Sequence, residues 1–211
     1  IFLSSMGWGH IIRQLIIDKK LLKKIPNLKL TIQGKKEIYL VKKFLKSNYT
    51  YIEDDNLIKF FHTKRGNIDF KKTKKYFSNY KKLSENWIDK NLNDKNYDFY
   101  LSDISPEGIK VASELKKPVF SVCHFTWDWF FQQFLPLIPD RNIMQNWEKF
   151  QKLSTCFFFP PLTPAVILDK YKNPYKNPFL YNNVKRAPLI LKKKGKINIL
   201  LMDSGDKLIK Y

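Results

Sequence analysis

The stretch from Tyr97 to Phe125 restricts the fold more than any other part of the chain. Tyr97-Asp98-Phe99-Tyr100-Leu101-Ser102-Asp103 is an apolar run ending on an acid, Pro106 opens the helical segment PEGIKVASELKK, and PVFSVCHF (118–125) is a second apolar run. Two apolar strands joined through one helix form a parallel βαβ unit, because a connection of that length crosses over instead of turning back. Parallel sheets are buried on both faces, so the rest of the chain must supply helices above and below.

The remaining pattern supplies them. IFLSS reads as a strand, Met6-Gly7-Trp8-Gly9 as a tight glycine loop, and the segment from His10 as an amphipathic helix with Ile12, Leu15, Ile16 and Leu22 near helical spacing. A lysine cluster (Lys19, Lys20, Lys23, Lys24) suits that helix's C-terminal end, and Pro26 stops it. Further expectations are a strand over 28–33, a helix over 36–46, short strands over 49–52 and 58–62, and one long surface helix over 69–93. Downstream lie an aromatic helix after Thr126, a helix over 142–153, the strand TCFFFP, a proline-punctuated loop over 160–188 and a fresh strand over 197–202. Strands alternating with helices predict a Rossmann-like open parallel α/β sheet with helices on both faces.

With 211 residues, 44% hydrophobic and 16% aromatic, the chain can bury a sizeable core. Its net charge of +20 raises the question of polyanionic partners. Only four basic residues are Arg (Arg13, Arg65, Arg141, Arg186), whereas phosphate and base readers favour the guanidinium fork, and residues 101–150 carry −1. A basic nucleic-acid-binding module is therefore disfavoured. Cys123 and Cys156 have no metal-ligand or disulfide-framework spacing and read as buried thiols of a reducing compartment. No signal peptide is visible, and His124, Asp128, Gln132 and Gln133 interrupt the most apolar window, so a cytoplasmic protein without a spanning helix is expected.

Three strand ends carry chemistry. Gly7 and Gly9 let the backbone approach a ligand at a helix N-terminus, although the same loop would serve as a plain tight turn. Ile12 stands where a dinucleotide fingerprint needs a third glycine, and Gln33-Gly34-Lys35 offers no ribose-binding acid, which argues against NAD. His10 follows the first strand and Asp103 ends another. If those strands are neighbours, Asp103 can fix the imidazole tautomer and leave the other nitrogen as a general base; otherwise His10 is a capping or packing residue and Asp103 an N-cap. His124-Phe125-Thr126-Trp127-Asp128-Trp129-Phe130-Phe131, with Phe134, has more aromatics than one buried stripe holds. Some of them cover a cleft or an interface, with His124 and Asp128 able to bond hydroxyls, or the rings divide between core and domain contact.

Taken together, Ser5-x-Gly7-x-Gly9-His10-x-x-Arg13, then Tyr97-Asp98 leading to Ser102-Asp103-Ile104-Ser105-Pro106, then His124-Phe125-Thr126-Trp127-Asp128, resemble the N-terminal domain of GT-B fold glycosyltransferases, closest to family 28-like enzymes. The resemblance implies an acceptor-side Rossmann-like domain over residues 1–187. Residues 188–211 would be a linker and the first strand of an incomplete donor-binding domain. It also implies sugar transfer from a nucleotide-sugar, expected to be a UDP-sugar, to an acceptor hydroxyl. His10 would be the base and Asp103 its partner; Gly7, Trp8, Gly9, Arg13, Ser105, His124, Trp127 and Asp128 would contact substrates, and Ser204 and Gly205 would open the donor-side loop. Neither metal nor cofactor is expected, since helix N-termini can carry the charge of the leaving diphosphate. The fragment alone is expected to be inactive. A nucleotide-sugar 2-epimerase of the same architecture is the alternative enzyme. Lysines on the first helices and the aromatics of 125–134 suggest peripheral contact with an anionic membrane and a lipid-linked acceptor.

Overall fold

The first three residues run as a seam between two groups of strands. The Phe2 amide donates to the Leu101 carbonyl and the Leu3 amide to the Gln33 carbonyl, both at 2.9 Å, while the amides of Gln33 and Asp103 donate back to Ile1 and Phe2. The structure is a computed structural model that describes residues 1–3, 8–34, 38–54, 57–93, 97–133, 138, 140–161, 163–171 and 174–176. On one side of the seam β1 (Leu30–Gly34) pairs in parallel with β2 (Tyr49–Glu53). On the other, β3 (Tyr100–Ser102), β4 (Val119–Val122), β5 (Cys156–Phe159) and β6 (Pro174–Lys176) pair in parallel in that order. Phe2 bridges both Gln33 and Ser102 in parallel, so the order across the sheet is β2, β1, residues 1–3, β3, β4, β5, β6. Successive connections run outward from the seam in opposite directions. Such a switch point opens a crevice at the carboxyl ends of the strands.

The side-chain alternation of the strands meets helices on both faces. Tyr100 and Val119 pack with Ile109, Val111 and Ala112 of α5 (Pro106–Glu114). Their sequence neighbours Leu101 and Phe120 point to the other face, toward Ile17 and Leu21 of α1 (Trp8–Lys24). Over β1, α1 and α2 (Ile38–Phe44) close a cluster that includes Leu3, Ile11, Leu15, Ile32 and Val41. Gly108 lets α5 sit directly on Phe2, whose ring occupies the space a Cβ would need. The mixed α/β class, with a parallel sheet flanked by helices, is as the sequence predicts.

Several boundaries differ for physical reasons. The segment 69–93 is two helices, α3 (Phe70–Phe77) and α4 (Tyr80–Leu92), rather than one surface helix. Asp69 caps α3 by accepting from the Lys72 amide, and the Ser78 hydroxyl bonds the Lys75 carbonyl at the break, a local alternative that Ser and Asn offer a helix. The break lets both Phe77 and Tyr80 turn inward onto Trp147 of α7 (Arg141–Gln151), with ring centroids 6.0 and 5.3 Å away. No strand forms over 58–62, where His62 makes only an isolated antiparallel bridge to Ile68. The loop after β5 holds a short helix, α8 (Ala165–Leu168), and then β6, whose first residue is Pro174, the position at which a strand tolerates proline. The strand expected over 197–202 and the boundary at 187–188 lie outside the described residues.

Candidate functional site

The first turn of α1 stands just past the seam strand, and β3 ends beside it. This brings His10 and Asp103, 93 positions apart, to 3.2 Å between Nδ1 and Oδ1. Asp103 is fully buried and His10 is 14% exposed. Arg13, one turn further along α1 and 9% exposed, donates through Nη2 to the same Asp103 oxygen and to the Val122 carbonyl at the end of β4 (3.1 Å). Nη2 also lies 3.2 Å from His10 Nδ1. A carboxylate only accepts, so the His10–Asp103 bond requires the proton on Nδ1, and the Arg13–His10 approach is then a contact between two donors that share one acceptor. With Nδ1 turned to Asp103, Nε2 is the nitrogen on the cleft side.

Burial by itself would push the pKa of Asp103 up. The charges of His10 and Arg13 and the hydrogen bonds from both outweigh burial and hold the carboxyl below its usual range. The backbone beyond it is strained: Ile104, β-branched and buried, has φ 56°, a left-handed conformation such residues avoid. The Trp127 indole N–H pins the Ile104 carbonyl at 2.7 Å. Ser105, not Asp103, caps α5, its hydroxyl accepting from the Gly108 amide. Asp103 is thereby left to the histidine.

His10 opens onto a cleft of about 330 Å³ lined also by Gly9, Ile12, Arg13, Ile16, His124 and Pro160. Among the described residues a Cβ built on Gly9 meets nothing within 4 Å, so that stretch of backbone is bare toward the cleft. Burial lowers the basicity of His124, and the nearby charges of Arg13 and His10 lower it further, so it faces the cleft as a neutral imidazole.

Other residues expected to contact substrate are placed elsewhere. Asp128 is 1% exposed; its carboxylate accepts from Gln151 Nε2 (2.8 Å) and the Tyr171 hydroxyl (3.1 Å) and pairs with Lys170, tying α6 (Trp127–Gln132) to α7 and the turn after α8. Trp127 is buried in the core and Ser105 is the cap, so the contacts of these three are with the protein's own core and helix ends. Phe131 is also core, while Phe125, Trp129 and Phe130 are partly buried against it. The aromatic surplus of this segment thus builds one thick cluster with Phe77, Tyr80 and Trp147. Gly7, the Trp8 side chain, Phe134, Ser204 and Gly205 lie outside the described residues. Nothing in the sequence pattern points to the Val122 carbonyl, a backbone group that the adjacency of β3 and β4 brings to Arg13. Among the described residues no cluster of three or more His, Cys, Asp or Glu side chains is placed to hold a metal ion, and no helix is long and apolar enough to cross a membrane.

No protein-family model matches the sequence, and no curated protein matches it. Among solved structures the chain is similar to the crystal structure of Arabidopsis thaliana UGT89C1 complexed with UDP-L-rhamnose, with a TM-score of 0.53 and 13% sequence identity over 86% of this chain and 52% of that one. The chain therefore has the fold of a Rossmann-like half of a GT-B glycosyltransferase. It spans about half the length of that structure.

Proposed function

We propose that this chain is the acceptor-side half of a glycosyltransferase that moves a sugar from a UDP-sugar to an acceptor hydroxyl, without a metal ion. His10 acts as general base through Nε2 and Asp103 orients it. The observation that carries the reading is the His10–Asp103 pair at the switch point of the sheet, facing a cleft with bare backbone at Gly9. In the reaction the acceptor O–H gives its proton to Nε2 as its oxygen bonds the anomeric carbon, and the sugar–phosphate bond breaks with its electron pair going to the nucleoside diphosphate. Asp103 then faces an imidazolium it already bonds, which stabilises the charge formed. Residues 188–211 would lead into the donor-binding half, so the 211-residue chain alone would be inactive. The closer kinship with family 28 rests on the resemblance of Ser5-x-Gly7-x-Gly9-His10-x-x-Arg13, Ser102–Pro106 and His124–Asp128 taken together.

Beyond Pro160 the cleft adjoins a second groove of about 520 Å³ along α1, walled by Ile17, Leu21, Phe120 and Phe158 and edged by Lys20 and Lys24. This supports an acceptor carrying an apolar chain with an anionic group, such as a lipid-linked one at a membrane surface. The test is UDP release by the full-length protein across a panel of UDP-sugars, with short-chain and long-chain acceptor alcohols. Turnover that falls at least a hundredfold in His10→Ala and Asp103→Asn is expected. Near-normal rates in both variants would sink the dyad, and UDP-sugar isomerisation without acceptor would favour the epimerase.

A further inference from the structure

Building on the reading of His10 as a base, we propose that Arg13 is a positioning residue, which keeps Asp103 ionised and aimed at His10 and takes no part in holding substrate. A general base must start neutral, and a neutral His10 cannot balance a buried carboxylate. Asp103 has no exposure to water, and without a cation its burial would favour taking up a proton and losing the acceptor that orients the imidazole. Arg13 supplies a permanent positive charge at that point. Nη2 and His10 Nδ1 both bond the same atom, Asp103 Oδ1. Its bond to the Val122 carbonyl fastens the guanidinium to the end of β4, so one side chain of α1 clamps two adjacent strand ends.

The guanidinium carries a second consequence. With His10 neutral, the trio of His10, Asp103 and Arg13 has no net charge, and it gains one positive charge when His10 takes the acceptor's proton. The imidazole is thus left open to receive that proton. The other titratable groups that sense this charge are Cys123 and His124 beyond β4 and Asp18 on α1. The Cys123 thiol is pushed up by burial and stays neutral. Arg13 also borders the cleft, and this makes substrate binding the rival role to be separated.

The test uses the full-length protein with Arg13→Gln, Asp103→Asn and the double variant. Imidazole nitrogen NMR at neutral pH, with His10 signals identified by their loss in His10→Gln, reads the proton pattern directly. The wild type shows Nδ1 protonated and Nε2 bare. In Arg13→Gln the buried Asp103 takes up a proton and donates it to Nδ1, so the pattern reverses, with Nδ1 bare and Nε2 protonated, and the double variant, with no carboxyl to protonate, matches Asp103→Asn. In turnover, Arg13→Gln lowers kcat by about tenfold or more with KM within about threefold, and the double variant is no slower than Asp103→Asn alone. Arg13→Lys keeps the cation and gives the wild-type proton pattern, which holds the test open if the glutamine variant does not fold. A His10 spectrum unchanged in Arg13→Gln, a tenfold KM rise at constant kcat, or losses that multiply in the double variant each overturn the proposal. Failure of the base itself shows separately, as near-normal turnover in His10→Ala, and the nitrogen spectra still decide what Arg13 does to the pair.

Discussion

Asp18 lies two turns beyond His10 on the same face of α1 and is fully buried. Gln14 donates to its Oδ1 at 2.7 Å, while Oδ2 has no hydrogen-bond partner among the described residues. Burial pushes the carboxyl up to about 7 from 3.8; the Gln14 bond and the amino-terminal charge offset part of this, and Asp103 adds to it. The folded state therefore holds this proton to a higher pH than the unfolded chain does. Stability from the neutral acid is complete below about pH 4 and is lost as pH rises through about 7. The gap of roughly 3 pK units corresponds to about 4 kcal/mol. In Asp18→Asn the amide is neutral at every pH and keeps an acceptor for Gln14. Unfolding by urea at a series of pH values should show variant and wild type converging near pH 4, apart from a constant offset for the new N–H donors. The variant should gain about 2 kcal/mol by pH 5.5 and about 4 kcal/mol above pH 7. Because Asp103 and Glu148, held low by their partners, pull the whole-protein curve the other way, the difference between the two proteins is the quantity to read. A difference that stays flat from pH 4.5 to 7.5 would refute a buried neutral Asp18.

Gly9→Ala adds a methyl group where no atom of the described residues lies within 4 Å, so the melting temperature should hold or rise slightly while turnover falls about tenfold if substrate meets that backbone; unchanged turnover would remove Gly9 from the site. Gly108→Ala drives a methyl group into the Phe2 ring and should cost about 2 kcal/mol in urea unfolding, with part of the loss recovered in a Phe2→Leu background. Asp128→Ala strips the acceptor from Gln151, Tyr171 and Lys170 and should cost about 3 kcal/mol, with KM unchanged in the folded fraction; a specific KM effect at normal stability would return Asp128 to the substrate.

The βαβ unit from Tyr97 to Phe125 was legible because an apolar run, a proline-opened helix and a second apolar run admit only one pairing. The break at Ser78-Asn79 was not, since Tyr76, Tyr80, Leu83 and Trp87 keep helical spacing through it, while the Ser78 hydroxyl bonds the Lys75 carbonyl there and Phe77 and Tyr80 on either side both pack on Trp147. On α1 the apolar spacing pointed to Ile12, Leu15, Ile16 and Leu22, yet Gln14 and Asp18 are as deeply buried as Leu15, while Ile12 borders the cleft. A helix lying against the central strand is covered over more than one stripe. Polar residues there need partners from the sheet or from each other, and spacing alone does not reveal them.

At the candidate site the same limit separates the residues of the 124–128 segment. His124 and Asp128 were equally attractive as hydroxyl binders from their positions after a strand, but one reaches the cleft and the other is taken by three partners from α7 and the turn beyond α8. For His10 and Asp103 the sequence pattern left adjacency conditional, and the bridge between Phe2 and Ser102 supplies it by setting the seam strand that leads into α1 beside β3. The net charge of +20 has no part in this arrangement. Many of the described lysines lie on exposed helix surfaces, whereas the cation beside Asp103 is a buried arginine, where a planar, permanently charged fork can bond a carboxylate and a carbonyl together.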